Sequence, residues 1–170
     1  SQIEQIFART VPLPGGGSIV VDSTEALTAI DVNSGRSSSN GSHEDMALET
    51  NLQAAREVAR QLRLRDLGGL VVVDFIDLRS MKNRRAVEKT MKDSLKIDRA
   101  RSTVGRLSPN GLLEINRQRI QQSLRARAQR ACPTCQGTGR VPSIESVGLN
   151  LLRRIEGRAM KTAAIAIAAA

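Results

Sequence analysis

Aromatic side chains are almost missing from this 170-residue chain: it has no Trp, no Tyr, and only Phe7 and Phe75. Proteins that hold nucleic acid by stacking its bases need such platforms. Any grip on a polyanion must therefore come mainly from phosphate contacts, which are salt-sensitive and weakly selective for sequence. Histidine is as scarce. The single His43 sits in a polar loop and is no convincing catalytic group. No apolar run reaches the roughly 18 to 20 residues of a membrane-spanning helix. No charged-then-apolar leader opens the chain, so a soluble, cytoplasmic protein is expected. Only two cysteines are present, Cys132 and Cys135.

What is abundant is aliphatic and basic. Forty per cent of the residues are hydrophobic, enough for the core of about one domain, or of one domain with an appendage. The net charge is +9, and it is unevenly spread. From Arg79 to Arg130 there are 15 Lys and Arg against 4 Asp and Glu, whereas the remainder is slightly acidic. A concentrated basic tract is an electrostatic footprint for polyanions, nucleic acid above all. The bland alternative is a solvated helix face.

Residues 1–10 carry an apolar stripe of Ile3, Ile6 and Phe7 and look like the tail of an upstream domain. After a turn at Leu13–Gly17, two β-rich runs, 18–22 and 26–33, suggest a hairpin. Gly35–Ser42 is a Ser/Gly/Asn loop flexible enough to move over a site. Ser42 with Asp45 three residues on predicts a helix start, and Leu48, Leu52, Ala55, Ala59 and Leu62 form one apolar face, ended at Gly68–Gly69. Residues 70–78 (LVVVDFIDL) read as a central strand covered on both faces. Ser80 is expected to cap a second helix, with Val87, Met91 and Leu95 inward and Lys82, Arg85, Lys89, Lys92 and Lys96 outward. A strand over 102–107, a turn at 108–111, an element over 112–124 and a helix over 144–160 complete the pass. The Ala-rich end from Ala163 to Ala170 carries little information.

The cysteines lie in the run CPTCQGTG, from Cys132 to Gly139. Two thiolates so spaced aim at one point, but a structural zinc takes four ligands. With no second pair and His43 far upstream, the simplest completion is a second copy of the chain, one zinc shared by two protomers. A redox pair, a disulfide and two idle thiols are the alternatives.

Two carboxylates interrupt apolar strands. Asp31 and Asn33 are two apart and share a face, and Asp74 follows three valines. Burying a carboxylate there is costly unless it is paired or bound to a cation. Two carboxylates from adjacent strands, backed by an amide, suit Mg²⁺, which takes its remaining ligands from water and phosphate. Beside the basic tract, this points to metal-assisted phosphodiester hydrolysis. The structural alternative makes both aspartates ordinary hydrogen-bonding groups. Asp77, on the opposite strand face, suits a cap or a supporting role, and Asp22 and Glu25 are acids of the hairpin turn.

Taken together, DSTEALTAIDVNS (22–34), TNLQAAREVARQLRLRDLGGLVVVDFIDL (50–78), SPNGLLEINRQR (108–119) and CPTCQGTG (132–139) resemble the endoribonucleases of the ribonuclease E/G type, over roughly residues 1–160. The resemblance implies an α/β chain, with a mixed α+β sheet flanked by helices in a deoxyribonuclease I-like subdomain. It further implies Asp31 and Asp74 as ligands of the catalytic Mg²⁺, Asn33 as the amide that orients Asp31, and Cys132 and Cys135 as half of a zinc link between protomers. The divisions expected are 1–10, tail of an upstream domain; 11–128, catalytic subdomain; 129–142, zinc link; and 143–170, the start of a small dimerisation segment. Such enzymes cut single-stranded, AU-rich RNA to 5′-phosphate and 3′-hydroxyl ends in messenger RNA decay and in ribosomal and transfer RNA processing.

Family members also carry an upstream RNA-binding S1 domain and a 5′-monophosphate pocket, for which there is no room before Ser1. The chain therefore reads as a catalytic fragment of a homodimer, and of a homotetramer when intact. Arg84, Lys89, Arg117 and Arg119 are candidates for positioning the RNA backbone. The alternative function is a non-catalytic RNA-binding fragment dimerised through the shared zinc. A single CxxCxGxG copy argues against the co-chaperone zinc domains that repeat it.

Overall fold

Six short runs rich in Val, Ile and Leu pair into one sheet. They are β1 (Thr10–Pro12), β2 (Ser18–Ser23), β3 (Thr28–Asn33), β4 (Gly69–Asp74), β5 (Ser102–Val104) and β6 (Leu112–Arg117). Their order is β1-β2-β3-β4-β6-β5. Among the described residues only β3 and β4 run parallel; every other pairing is antiparallel. The parallel pair needs a crossover, and helix α1 (His43–Leu64) supplies it. The computed structural model describes residues 6–24, 26–35, 42–121, 123–128, 130 and 132–168. Glu25 of the hairpin turn, residues 36–41 of the Ser/Gly/Asn loop and the first five residues of the apolar tail lie outside them.

The mixed sheet with its helices makes an α+β fold. The chain divides into two units, Ser1–Gln129 and Arg130–Ala170. In the first, alternate side chains of the strands point to one face, where Ile19, Val21, Ile30, Val32, Val71, Val73, Leu113 and Ile115 are buried. Helices α1 and α2 (Met81–Leu95) close that face with Ala54, Val58, Leu62, Val87, Met91 and Leu95, all in the same core cluster. Each Val, Leu, Ile or Met side chain among them, fully buried, stabilises by about 1.5–3 kcal/mol. The other face is open: Ala29, Asp31, Asn33, Leu70, Asp74, Leu112, Glu114 and Asn116 are exposed along it. The central strand is therefore covered on one face rather than both. Its run of apolar residues misleads because Leu70 points to the open side and stays 42% exposed.

Helix α1 begins as expected, with the Ser42 hydroxyl accepting the Asp45 N–H at 3.2 Å and donating to Asp45 Oδ2 at 2.7 Å. Its buried face is turned from the expected one. Ala47, Asn51, Ala54, Ala55, Val58, Ala59 and Leu62 are buried, while Leu48 and Leu52 are only half-buried. The helix ends before the glycine pair, at Leu64, and just beyond it Asp66, with φ of 50°, lets the Leu67 N–H bond the Leu62 carbonyl at 3.0 Å. His43 is the first residue of this helix, not part of a loop.

In α2 the inward and outward sets fall as expected, with Val87, Met91 and Leu95 buried and the five cations exposed. The expected strand over 102–107 is confined to β5, and the element over 112–124 is β6 followed by a separate short helix, α3 (Leu124–Ala128). The second unit holds the Cys turn and helix α4 (Ile144–Ala168), which runs past the expected end into the Ala-rich tail. Ile144, Val147, Leu149, Leu151, Leu152, Ile155 and Met160 of α4 are all exposed. Among the described residues, no helix is long and apolar enough to cross a membrane.

Candidate active site

Asp31 and Asp74 are register partners at the last step of the parallel β3–β4 pair. Adjacent strands in register bring their side chains out on the same face, here the open one, at the carboxyl ends of the strands, where open sheets with crossovers place their ligands. Asn33, two residues along β3, donates from Nδ2 to Asp31 Oδ2 at 2.7 Å. That bond fixes one carboxylate oxygen. Burial, then the charges of Asp31 and Asp77, push the Asp74 carboxyl above its usual range. Like charges held this close favour a proton or a cation between them.

Asp77 does not sit on the opposite face of the strand, because β4 ends at Asp74. It belongs to the following loop and adds to the negative field on Asp74. That loop is pinned from three sides. Buried Asn51 of α1 donates to the Ile76 carbonyl at 2.7 Å and accepts the Ile76 N–H at 3.0 Å. The Phe75 N–H bonds the carbonyl of Gly111 at 2.9 Å. Gly111 has φ +77°, and a side chain there would collide with the Phe75 carbonyl. Glu44, in the first turn of α1, accepts the N–H groups of Arg79 at 3.1 Å and Ser80 at 3.0 Å and the Asn83 amide at 2.9 Å. The N–H of Ser80, then that of Arg79, then the Asn83 amide hold the Glu44 carboxyl below its usual range. Ser80 itself makes no side-chain capping bond, so α2 is capped from α1 instead. Asn51 carried a sequence signal, an amide inside an apolar helix face. Glu44 carried none, since its partners lie 35 to 39 residues away.

The basic candidates separate. Arg117 is 3% exposed and belongs to the core. Its Nε and Nη2 donate to Asp98 at 2.7 and 3.1 Å and its Nη1 to the Leu67 carbonyl at 2.8 Å, so it is no contact for RNA. Arg119 donates to the Gly68 carbonyl at 3.2 Å and lines a cavity of about 610 Å³ with Thr28 and Gly68. That cavity lies at the opening ends of β3 and β4, away from Asp31 and Asp74. A smaller one of about 160 Å³, lined by Ser34, His43, Met46 and Ile76, adjoins the β3 end of the site. Arg84 is half-buried, and its Nε has no hydrogen-bond partner among the described residues. Lys89 points out from α2, on the helical side of the sheet. Asp22 is held by Arg9 through two bonds of 2.7 Å. The cations of α2 thus do not adjoin the acidic pair, since that helix covers the opposite face, whereas β6 of the same tract pairs with β4 at Asp74.

In the second unit Cys132 and Cys135 are free thiols. The Gln136 N–H bonds the Cys132 carbonyl at 2.7 Å and the Thr138 N–H bonds the Cys135 carbonyl at 2.9 Å. Gln136, Gly137 and Gly139 take positive φ of 51°, 92° and 70° to close the turn. The backbone N–H of Cys135, then that of Thr134, lowers the Cys132 thiol below its usual range. A turn that favours the thiolate suits a zinc ligand. Among the described residues no three His, Cys, Asp or Glu side chains converge on one point. The cysteine pair could supply two of the four ligands of a zinc, and the aspartate pair could serve as the small anionic set that Mg²⁺ takes.

Comparison with known proteins shows which family the chain resembles. A family model described as the ribonuclease E/G family matches residues 1–120, and one described as an RNase E/G thioredoxin-like domain matches residues 131–170. Ribonuclease E of Haemophilus influenzae is 56% identical over 161 residues, 95% of this chain and 17% of that protein. Ribonuclease E of Escherichia coli is 54% identical over 161 residues, 95% of this chain and 15% of that protein. Ribonuclease G of Salmonella typhimurium is 37% identical over 155 residues, 91% of this chain and 32% of that protein. The chain spans about a sixth of the length of these ribonuclease E relatives.

Proposed function

This chain belongs to the ribonuclease E/G family, and from that premise we propose that it is the metal-binding part of an endoribonuclease that hydrolyses single-stranded, AU-rich RNA to 5′-phosphate and 3′-hydroxyl ends. Its setting is cytoplasmic messenger RNA decay and the processing of ribosomal and transfer RNA precursors. The observation that carries the reading is the pairing of Asp31 with Asp74 across β3 and β4 on the open face.

In this reading Asp31 and Asp74 hold Mg²⁺. The bound ion supplies Lewis-acid polarisation of the scissile phosphate and makes a bound water acidic. The rest is done by the chain. Asn33 holds Asp31 in one rotamer through its 2.7 Å bond. The field of Asp77 on Asp74 strengthens the demand for a cation. Asn51 and Glu44 lock the 75–80 loop and so fix the end of β4 from which Asp74 projects. No side-chain base is required, in keeping with the scarcity of His and Tyr.

A second metal would support a dimer. Cys132 and Cys135 would supply half of a tetrahedral Zn²⁺ site, and a second copy the other half. The exposed apolar residues of α4 are the sort of surface that a partner covers. In the intact protein, two such dimers make a tetramer.

The decisive experiment is cleavage of a short, labelled, single-stranded AU-rich RNA with Mg²⁺, with EDTA, and with Asp74→Asn. Cleavage that needs Mg²⁺, leaves 5′-phosphates and disappears in the variant supports the reading. Binding without cleavage means that this stretch is an RNA-binding scaffold. Cleavage that survives Asp74→Asn removes the metal site.

A further inference from the structure

Five cations of α2 fall on one outward stripe: Lys82, Arg85, Lys89, Lys92 and Lys96, at alternating intervals of three and four residues, all exposed. That spacing keeps side chains on one helix face. Over 14 residues the stripe is about 21 Å long, with a cation every 4.5 to 6 Å or so of axis. Lys96 is paired with Asp93 at 2.7 Å. Among the described residues, Lys82, Arg85, Lys89 and Lys92 are in no ion pair. Of the acids on this helix, Glu88 is turned away to accept the Leu107 N–H at 2.8 Å, which leaves the stripe without a carboxylate of its own before Asp93.

The place of the stripe matters as much as its charge. The inward face of α2 is in the core that covers one side of the sheet, and the carboxylates are on the other side. The stripe does not face the scissile phosphate. It starts, however, at Lys82, a few residues beyond the 75–80 loop that follows Asp74, and runs from there along the back of the unit. A strand whose phosphate lies at Asp31 and Asp74 need only pass the rim of the sheet at that loop to reach it.

We propose that the outward face of α2 is an RNA exosite, which grips the phosphates of a single strand continuing from the carboxylate site. The proposal rests on the nuclease reading above and adds to it a division of labour: the open face binds the cation and does the chemistry, while the helical face supplies affinity. The occupant is RNA backbone because the stripe has cations and no aromatic side chain, so it offers phosphates a hold and bases none. An extended strand matches a single straight row of charges.

The test is binding of a labelled 20-nucleotide single strand without added magnesium, over a range of salt, to the full chain and to Lys89→Gln/Lys92→Gln. Removing one cation that neutralises a single-strand phosphate should lower the slope of log affinity against log salt by about 0.7, so the double variant should lose about 1.4. Lys89→Arg/Lys92→Arg should retain the slope. Arg140→Gln/Arg153→Gln, an equal loss of charge in the second unit, should leave it nearly unchanged. With a tetranucleotide, too short to reach the stripe from the carboxylates, the wild type and Lys89→Gln/Lys92→Gln should bind alike. An unchanged slope, or an equal change in the second-unit control, overturns the exosite while leaving cleavage intact. A duplex that loses as much affinity as the single strand overturns the single-strand assignment. Failure of the wild type to bind RNA at all overturns the exosite and the nuclease reading together.

Discussion

Glu44, in the first turn of α1, accepts the backbone N–H of Ser80, 36 residues later in the chain, and thereby caps the helix that follows it. Because it also binds the Arg79 N–H and the Asn83 amide, one carboxylate ties the start of α2 to the start of α1. Glu44→Ala should lower the melting temperature and loosen the 75–80 loop, read as faster hydrogen exchange at Arg79 and Ser80. Its carboxyl titrates below the usual range, so its contribution is full above about pH 4.3, the unfolded value, and fades as pH falls below it. The wild type and Glu44→Gln should therefore converge in stability on acidification.

Asp74 has the opposite sign. Its carboxyl is raised by burial and by Asp31 and Asp77, so the folded state favours the protonated form, and stability is lost as pH rises through the folded pKa. Asp74→Asn should be at least as stable as the wild type at pH 7, with the difference vanishing near pH 3. Urea midpoints at the two pH values check this. Added Mg²⁺ should raise the midpoint of the wild type by mass action and leave that of the variant unchanged.

Removing Asn33's amide should weaken the site without unfolding it. Asn33→Ala frees Asp31 Oδ2 from its 2.7 Å bond. Loss of a residue that orients a metal ligand costs about 10 to 100-fold in metal affinity or activity. A magnesium titration of RNA cleavage should show that shift, with the thermal midpoint little changed.

Arg117 and Asp98 form a pair whose side chains are both 3% exposed. Arg117→Leu leaves Asp98 buried and unpaired, which should cost about 3–5 kcal/mol. Burial pushes the Asp98 carboxyl up, but the bonds and charge of Arg117 and the Ala100 N–H outweigh it and hold it below the usual range. Wild-type stability from this pair should thus be present above about pH 3.9, the ordinary aspartate value, and fall away in stronger acid. Pairing Arg117→Leu with Asp98→Asn should recover part of the loss in denaturant melts.

Zinc removal should act on association and not on the sheet. A chelator, or Cys132→Ser, should shift sedimentation from two copies to one and reduce bound zinc from one per two chains to none. Circular dichroism of the first unit's strands should hardly change. A dimer that survives without zinc would assign association to α4 alone.

Much of this architecture is legible in the sequence because alternation and helical period are local. The β2–β3 hairpin, the start of α1 at Ser42 and the inward face of α2 follow from residues within a turn of one another. The pairing of Asp31 with Asp74 is semi-local: each interrupts an apolar run, and a crossover helix between two strands makes them neighbours. What escapes is whatever depends on the other side of the sheet. Leu70 and Val72 read as core because apolar character does not reveal a face left open. Arg117 reads as a surface cation because its partners, Asp66, Leu67 and Asp98, come from two distant loops. The cations of α2 read as adjoining the acidic pair because charge counted along the chain says nothing of which side of a sheet bears it.

The sheet's outermost strands, β1 and β5, are only three residues long, and β1 ends in Pro12, which has no N–H to offer. Another copy meeting either margin finds no ladder long enough to extend. Even when the chain is heated or concentrated, it should resist polymerising strand upon strand into fibrils, and any precipitate should be amorphous and fail to bind thioflavin.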